Sequence, residues 1–179
     1  MSRASFLDAA ERLIERVVQR MESSRSTYRK LNEIDLSQLI TDLLGELVPA
    51  SAETRQNGHV DVTISHPRCL GFKHLTECKI WDGPAWHRDG MTQLLGYATG
   101  REGRVLCLAF FIRHKGMVVL LNRLREQLGP EAVPPALGPA EDHPLLSGAF
   151  VTRHQHSSGA ELRIVHLGCH LWQEGNESH

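Results

Sequence analysis

From Val105 to Ile112 the chain reads Val-Leu-Cys-Leu-Ala-Phe-Phe-Ile, without a polar residue. No other feature limits its fold as strongly. A half-buried strand would alternate apolar and polar residues, and a bilayer-spanning helix needs about 20 apolar residues. This run does neither. Helical patterns lie on both sides of it, which suits a central strand covered on both faces of its sheet. The fold expected is therefore α/β, with helices above and below.

The flanking pattern fills in the layers. Phe6, Ala10, Leu13, Ile14, Val17, Val18 and Met21 recur at helical spacing between charged residues, predicting an amphipathic helix over about 4–23. Leu36, Leu39, Ile40, Leu43, Leu44 and Leu47 predict a second over about 35–47, ended by Pro49. A three-stranded meander follows: 50–56, the turn Asn57-Gly58, 59–65, and 72–81 after a loop through Pro67 to Gly71. The Gly83-Pro84 break opens a helix over about 86–98, and another helix is read from Met117 to Leu128. Pro134, Pro135 and Pro139 mark a rigid loop, after which strands over about 149–154 and 161–167 complete a mixed sheet. The organisation expected is an N-terminal helix and connector over 1–30, a core over 31–128, a Pro-rich loop over 129–146, and strands over 147–179 that complete the same domain.

A chain of 179 residues with 41% hydrophobic and 23% charged content is the size of one such domain. Its N-terminus, with Arg3, Asp8, Glu11 and Arg12, has no signal-type apolar stretch, so a cytoplasmic protein with no membrane contact is expected. Cys69, Cys78, Cys107 and Cys169 form no CxxC pair and read as reduced thiols. A formal net charge of -1 gives no global attraction to a polyanion, so any nucleic-acid contact must come from local basic patches or a partner.

The chemistry concentrates on the meander. Side chains alternate along a strand, so Val60, Val62 and Ile64 should face one way and Asp61 and Thr63 the other. Glu77 and Lys79 share a face of the next strand with Leu75 and Trp81. A loop centred near Cys69 sets Asp61 opposite Glu77, with Cβ atoms about 5 Å apart, where two like charges repel. A hard divalent cation between them would relieve that repulsion, since Mg²⁺ takes one or two carboxylates and keeps several waters. Lys79 then lies beside the attacking water.

In these elements the chain resembles the PD-(D/E)XK nuclease superfamily, whose core runs helix, three-strand meander, helix, strand. Asp61, Glu77-Cys78-Lys79, and the helix carrying Gln93 and Tyr97 fall in that order over residues 30–115. The Gln93 to Tyr97 spacing is similar to the QxxxY element of the RecB-like branch, while Val60 stands where the name-giving proline would be. The resemblance implies a restriction-endonuclease-like core and a catalytic set of Asp61, Glu77 and Lys79. It implies Mg²⁺, with Mn²⁺ as a substitute, held by Asp61, Glu77, the Cys78 carbonyl and an acid of the first helix. For that acid Glu33, Asp35 and Glu46 are candidates, Glu33 preferred. Gln93 and Tyr97 would contact substrate, with Arg88 and Arg101, and further Arg104 and Arg113, as candidate phosphate contacts. The implied activity is metal-dependent hydrolysis of nucleic acid, DNA ahead of RNA, as in prokaryotic restriction or anti-phage defence.

Other readings remain open on the same residues. Carboxylates and lysines alternating on a hairpin also keep a sheet soluble. The chain could be a non-catalytic nuclease-like module that binds nucleic acid or scaffolds an assembly. It could also be a subunit silent until an ATPase or sensor partner joins it. The N-terminal helix offers either a packing face or a dimer face. Trp81 and Trp86 could stack on a base, and His166, Cys169 and His170 lack the fourth ligand that structural zinc needs.

Overall fold

The structure, a computed structural model, describes residues 2–48, 50–55 and 59–174. Among the described residues, five helices, α1 (Arg3–Ser23), α2 (Arg25–Tyr28), α3 (Glu33–Gly45), α4 (Pro84–Tyr97) and α5 (Met117–Gln127), accompany seven strands. The strands are β1 (Ala50–Arg55), β2 (His59–Ser65), β3 (Lys73–Ile80), β4 (Arg104–Phe111), β5 (Glu141–Asp142), β6 (Phe150–Gln155) and β7 (Glu161–His170). They form one mixed sheet in the order β1-β2-β3-β4-β7-β6-β5. β3, β4 and β7 run parallel, and the outer pairings are antiparallel. The Asn57-Gly58 turn lies outside the described residues. The Pro-rich segment holds more than a loop, because Glu141 and Asp142 pair with β6 as a short edge strand.

The apolar run of β4 is buried on both faces. Leu106, Leu108 and Phe110 pack with α1 and α3 on one side, while Val105, Cys107, Ala109 and Phe111 pack with α4 and α5 on the other. Local chemistry sets the helix ends: Ser2 accepts from the Ser5 N–H at 3.1 Å, and Asn32 accepts from the Asp35 N–H at 2.9 Å. Gly83, at φ 101°, makes the turn that admits Pro84 as the first residue of α4. α1 lays Phe6, Leu7, Ala10, Ile14, Val17, Val18 and Met21 into its own domain, so the face that could have served a dimer is used internally.

One charged residue sits inside that face. Glu11, fully buried on α1, accepts from Arg104 Nε of β4 at 2.5 Å and pairs with His143 Nε2 at 3.0 Å and His74 Nε2 of β3 at 3.4 Å. Arg104 also pairs with Asp8. That corrects the expectation for Arg104: it is a structural cation, because a buried carboxylate must be compensated where it lies. Burial would raise the Glu11 pKa, but hydrogen bonds from His143 and His74 and the charges around it bring it from 4.5 down to about 2. A carboxyl so depressed contributes stability above pH 4.5 that is lost as pH falls toward 2, roughly 3 kcal/mol over the full span. Glu11→Ala should therefore lower the unfolding free energy at pH 7 by about 3 kcal/mol and flatten the acid limb of a urea-denaturation series.

Candidate active site

β2 and β3 pair from Val62–Thr76 to Ser65–Lys73, the register that the Cys69-centred loop predicts. The ladder stops there. Beyond it the Cys78 N–H donates at 2.8 Å to Oδ2 of Asp61. This interruption also explains a departure from simple alternation. Val60 is buried in the α4-side layer, whereas Val62 and Ile64 are in the α1/α3-side layer, although alternation predicts one face for all three.

Farther along the same edge of β3, the Ile80 N–H donates at 2.8 Å to Oε2 of Glu33, from the first turn of α3. Two carboxylates thus cap successive N–H groups of β3 along the stretch where β2 no longer pairs with it. Glu33 is the first-helix acid that reaches this edge. Asp35 is exposed beside it, and Glu46 is the residue that follows the far end of α3.

Glu77 and Lys79 point to the α4 side. Lys79 Nζ lies 3.0 Å from Glu77 Oε1 and 3.5 Å from Glu33 Oε1, and 5.8 Å from the centre of the Trp86 ring. Gly90 is what lets α4 cross here. A Cβ at that position would stand 3.1 Å from Lys79 Cγ and 3.3 Å from Cys107 Sγ. A glycine inside a predicted helix was the available signal for this close approach.

Among the described residues, Glu77 Oε2 is buried without a hydrogen-bond partner, and so is Oε1 of Gln93 on α4. Tyr97, one turn beyond Gln93, has its pKa raised by burial and then by the charge of Glu77, which sets the phenol in the field of the cluster. Burial and the neighbouring Asp61 raise the Glu77 pKa from 4.5 to about 7, against the lowering effect of Lys79. For Lys79 burial acts downward, but Glu77, Glu33 and Asp61 together raise its pKa, so it stays charged.

These groups meet at the carboxyl ends of the parallel strands β3 and β4, where α/β sheets place ligands. Among the described residues, no group of three or more His, Cys, Asp or Glu is gathered to hold a metal ion. Asp61 and Glu33 are turned to backbone amides, and Lys79 provides the positive charge. What does fit a cation is the unpartnered Oε2 of Glu77 beside Asp61, since a hard divalent ion needs only one or two carboxylates, a carbonyl and water.

The remaining candidates separate. Arg88 reaches toward α5, 3.4 Å from Gln127, and Arg101 is exposed in the α4–β4 loop, with its N–H held by Glu102. Neither guanidinium touches the cluster among the described residues. Trp81 is core, stacked on Phe111 at 4.8 Å, whereas Trp86 is 45% exposed. His166 and Cys169 fall in opposite layers, and His170 lies by Arg25, so they form no zinc site. His166 instead bonds His87 at 2.9 Å and Thr152 at 2.8 Å in a buried chain that fixes α4 to β7 and β6. That chain had no local sequence signal. No family model, no curated protein and no solved structure matches the chain.

The raised Glu77 pKa has a definite sign. The folded state holds this proton more tightly, so stability from this group is full below pH 4.5, falls as pH rises, and is gone above about 7. Urea denaturation of the protein in EDTA, compared with Glu77→Gln across pH 4.5 to 8, should show a difference that grows to roughly 3 kcal/mol in favour of the variant.

Proposed function

We propose that this protein is a metal-dependent nuclease of the PD-(D/E)XK type, hydrolysing phosphodiester bonds in nucleic acid, with a restriction-endonuclease-like core. The observation that carries this reading is the buried carboxylate oxygen of Glu77 beside Asp61, which has no hydrogen-bond partner among the described residues, with Lys79 3.0 Å from the other oxygen. Such an arrangement leaves one acceptor open to a cation and keeps one ammonium at the same place. DNA ahead of RNA, and a role in restriction or anti-phage defence, follow from the resemblance of the motif. No helix among the described residues is long and apolar enough to cross a membrane.

A divalent cation of the Mg²⁺ type, held by Asp61, Glu77 and the Cys78 carbonyl, would supply the Lewis acidity that activates water and stabilises charge on the scissile phosphate. The chain's own groups do the rest. Glu77 must lose its proton to serve as a ligand, which it does near pH 7. Lys79, kept protonated by three carboxylates, orients the nucleophile and offsets charge that builds on the phosphate. Glu33 holds Lys79 and ties α3 to the strand end. Gln93 and Tyr97 present an amide and a phenol from one helical face toward the same space.

One observation favours a second reading, a non-catalytic nuclease-like module. Asp61 and Glu33 are already satisfied by the Cys78 and Ile80 amides, so the cluster could be self-contained. Cleavage decides between the two. Purified protein incubated with circular and linear DNA in Mg²⁺, Mn²⁺ or EDTA should cut only with metal. Asp61→Ala, Glu77→Ala and Lys79→Ala should each lower the rate by about 10²-fold or more while circular dichroism stays unchanged. Cleavage that survives all three substitutions would overturn the site. Cleavage that appears only after an ATPase or sensor subunit is added would identify a partner-dependent nuclease.

A further inference from the structure

The loops at the carboxyl ends of the central strands carry charge of the opposite sign to the cluster. Arg29, Lys30 and Asn32, ahead of α3, and Arg113, just after β4, line a cavity of about 230 Å³ together with Ile80, and no acidic side chain among the described residues lines it. The residues that line the cavity adjoin those of the candidate site in sequence, at the same end of β3. Asn32 precedes Glu33, and Ile80 follows Lys79, the two groups that meet at 3.5 Å. Lys30 and Arg113 are exposed, and Lys115 extends the same turn. On the other flank of the strand end stands Trp86, 45% exposed, with its ring 5.8 Å from Lys79 Nζ.

We propose that this surface binds an unpaired nucleic-acid strand, one base stacking on Trp86 and a flanking phosphate lying in the Arg29–Lys30–Arg113 groove, so that the backbone crosses the Glu77–Lys79 pair. The ligand class rests on the nuclease reading above. The choice of a single strand rests on three features. A duplex cannot offer a base face to a rim tryptophan, whereas unpaired bases stack on exposed aromatics without regard to sequence. Three cations, Arg29, Lys30 and Arg113, line one cavity of about 230 Å³. The net charge of -1 leaves little attraction for a long duplex backbone.

Binding of a fluorescein-labelled thymidine oligonucleotide, followed by anisotropy in EDTA, separates this surface from the chemistry. The strand should bind more tightly than a duplex of the same length. Trp86→Ala should weaken it by about tenfold, and Trp86→Phe should retain most of the affinity. Lys30→Ala with Arg113→Ala should weaken binding and reduce the salt slope by about 0.7 for each phosphate that is no longer neutralised. All three positions are exposed or at a loop, and thermal unfolding of each variant should match the parent. Absence of strand binding at low salt, tighter binding of the duplex, or affinity indifferent to both sets of substitutions would overturn the proposal. Strand binding that behaves as expected in a protein that never cuts would overturn the nuclease reading alone. Metal-dependent cutting with binding indifferent to Trp86 and Arg113 would overturn this surface alone.

Discussion

Two-sided burial of the β3–β4 pair is the constraint from which the rest of the structure follows. A strand with no solvent face can be covered only by an element on each side, so α1 and α3 occupy one face and α4 and α5 the other. It also means that every polar side chain on β3 needs a partner inside the protein. His74 faces Glu11, Thr76 lies near His74, and Lys79 faces Glu77 and Glu33. Among the described residues, His74 Nε2 and Glu77 Oε2 make no hydrogen bond; the first has the Glu11 carboxylate at 3.4 Å, whereas the second is a buried acceptor without a donor, where a ligand would repay its own desolvation.

The buried carboxylates Glu11 and Glu77 show how environment divides roles. Glu11 is surrounded by donors and cations, and its charge is held firmly at all ordinary pH. Glu77 has one lysine and a second carboxylate, so burial prevails and its charge is conditional near neutrality. The first arrangement ties α1 to β3 and β4. The second is poised to respond to whatever cation or proton reaches it. The same residue type, against the same sheet, carries a firm charge in one layer and a conditional one in the other.

Much of the element order was legible because its signals are local. Helical spacing marked α1 and α3, the apolar run marked β4, and the length of the loop around Cys69 fixed the β2–β3 register to the residue. Asp61, Glu77 and Lys79 stood out because two strands and one short loop suffice to bring them together. Arg104 could not be assigned from sequence, since its partners Asp8 and Glu11 lie on a helix more than ninety residues earlier. The flip of Val60 into the opposite layer was hidden as well, because it depends on where the ladder ends and a side chain takes over from the backbone.

Hydrophobic period and turn length act within a few residues, and they specify the layers, the order of the elements and the strand positions of the acidic residues. The assembled fold sets which arginine is structural and which lines a groove, which tryptophan is buried, and that α4 crosses Lys79 at a glycine. It also leaves one oxygen of Glu77 without a donor among the described residues. Those outcomes depend on packing between segments distant in the chain, where burial and charge compensation are settled by all neighbours at once.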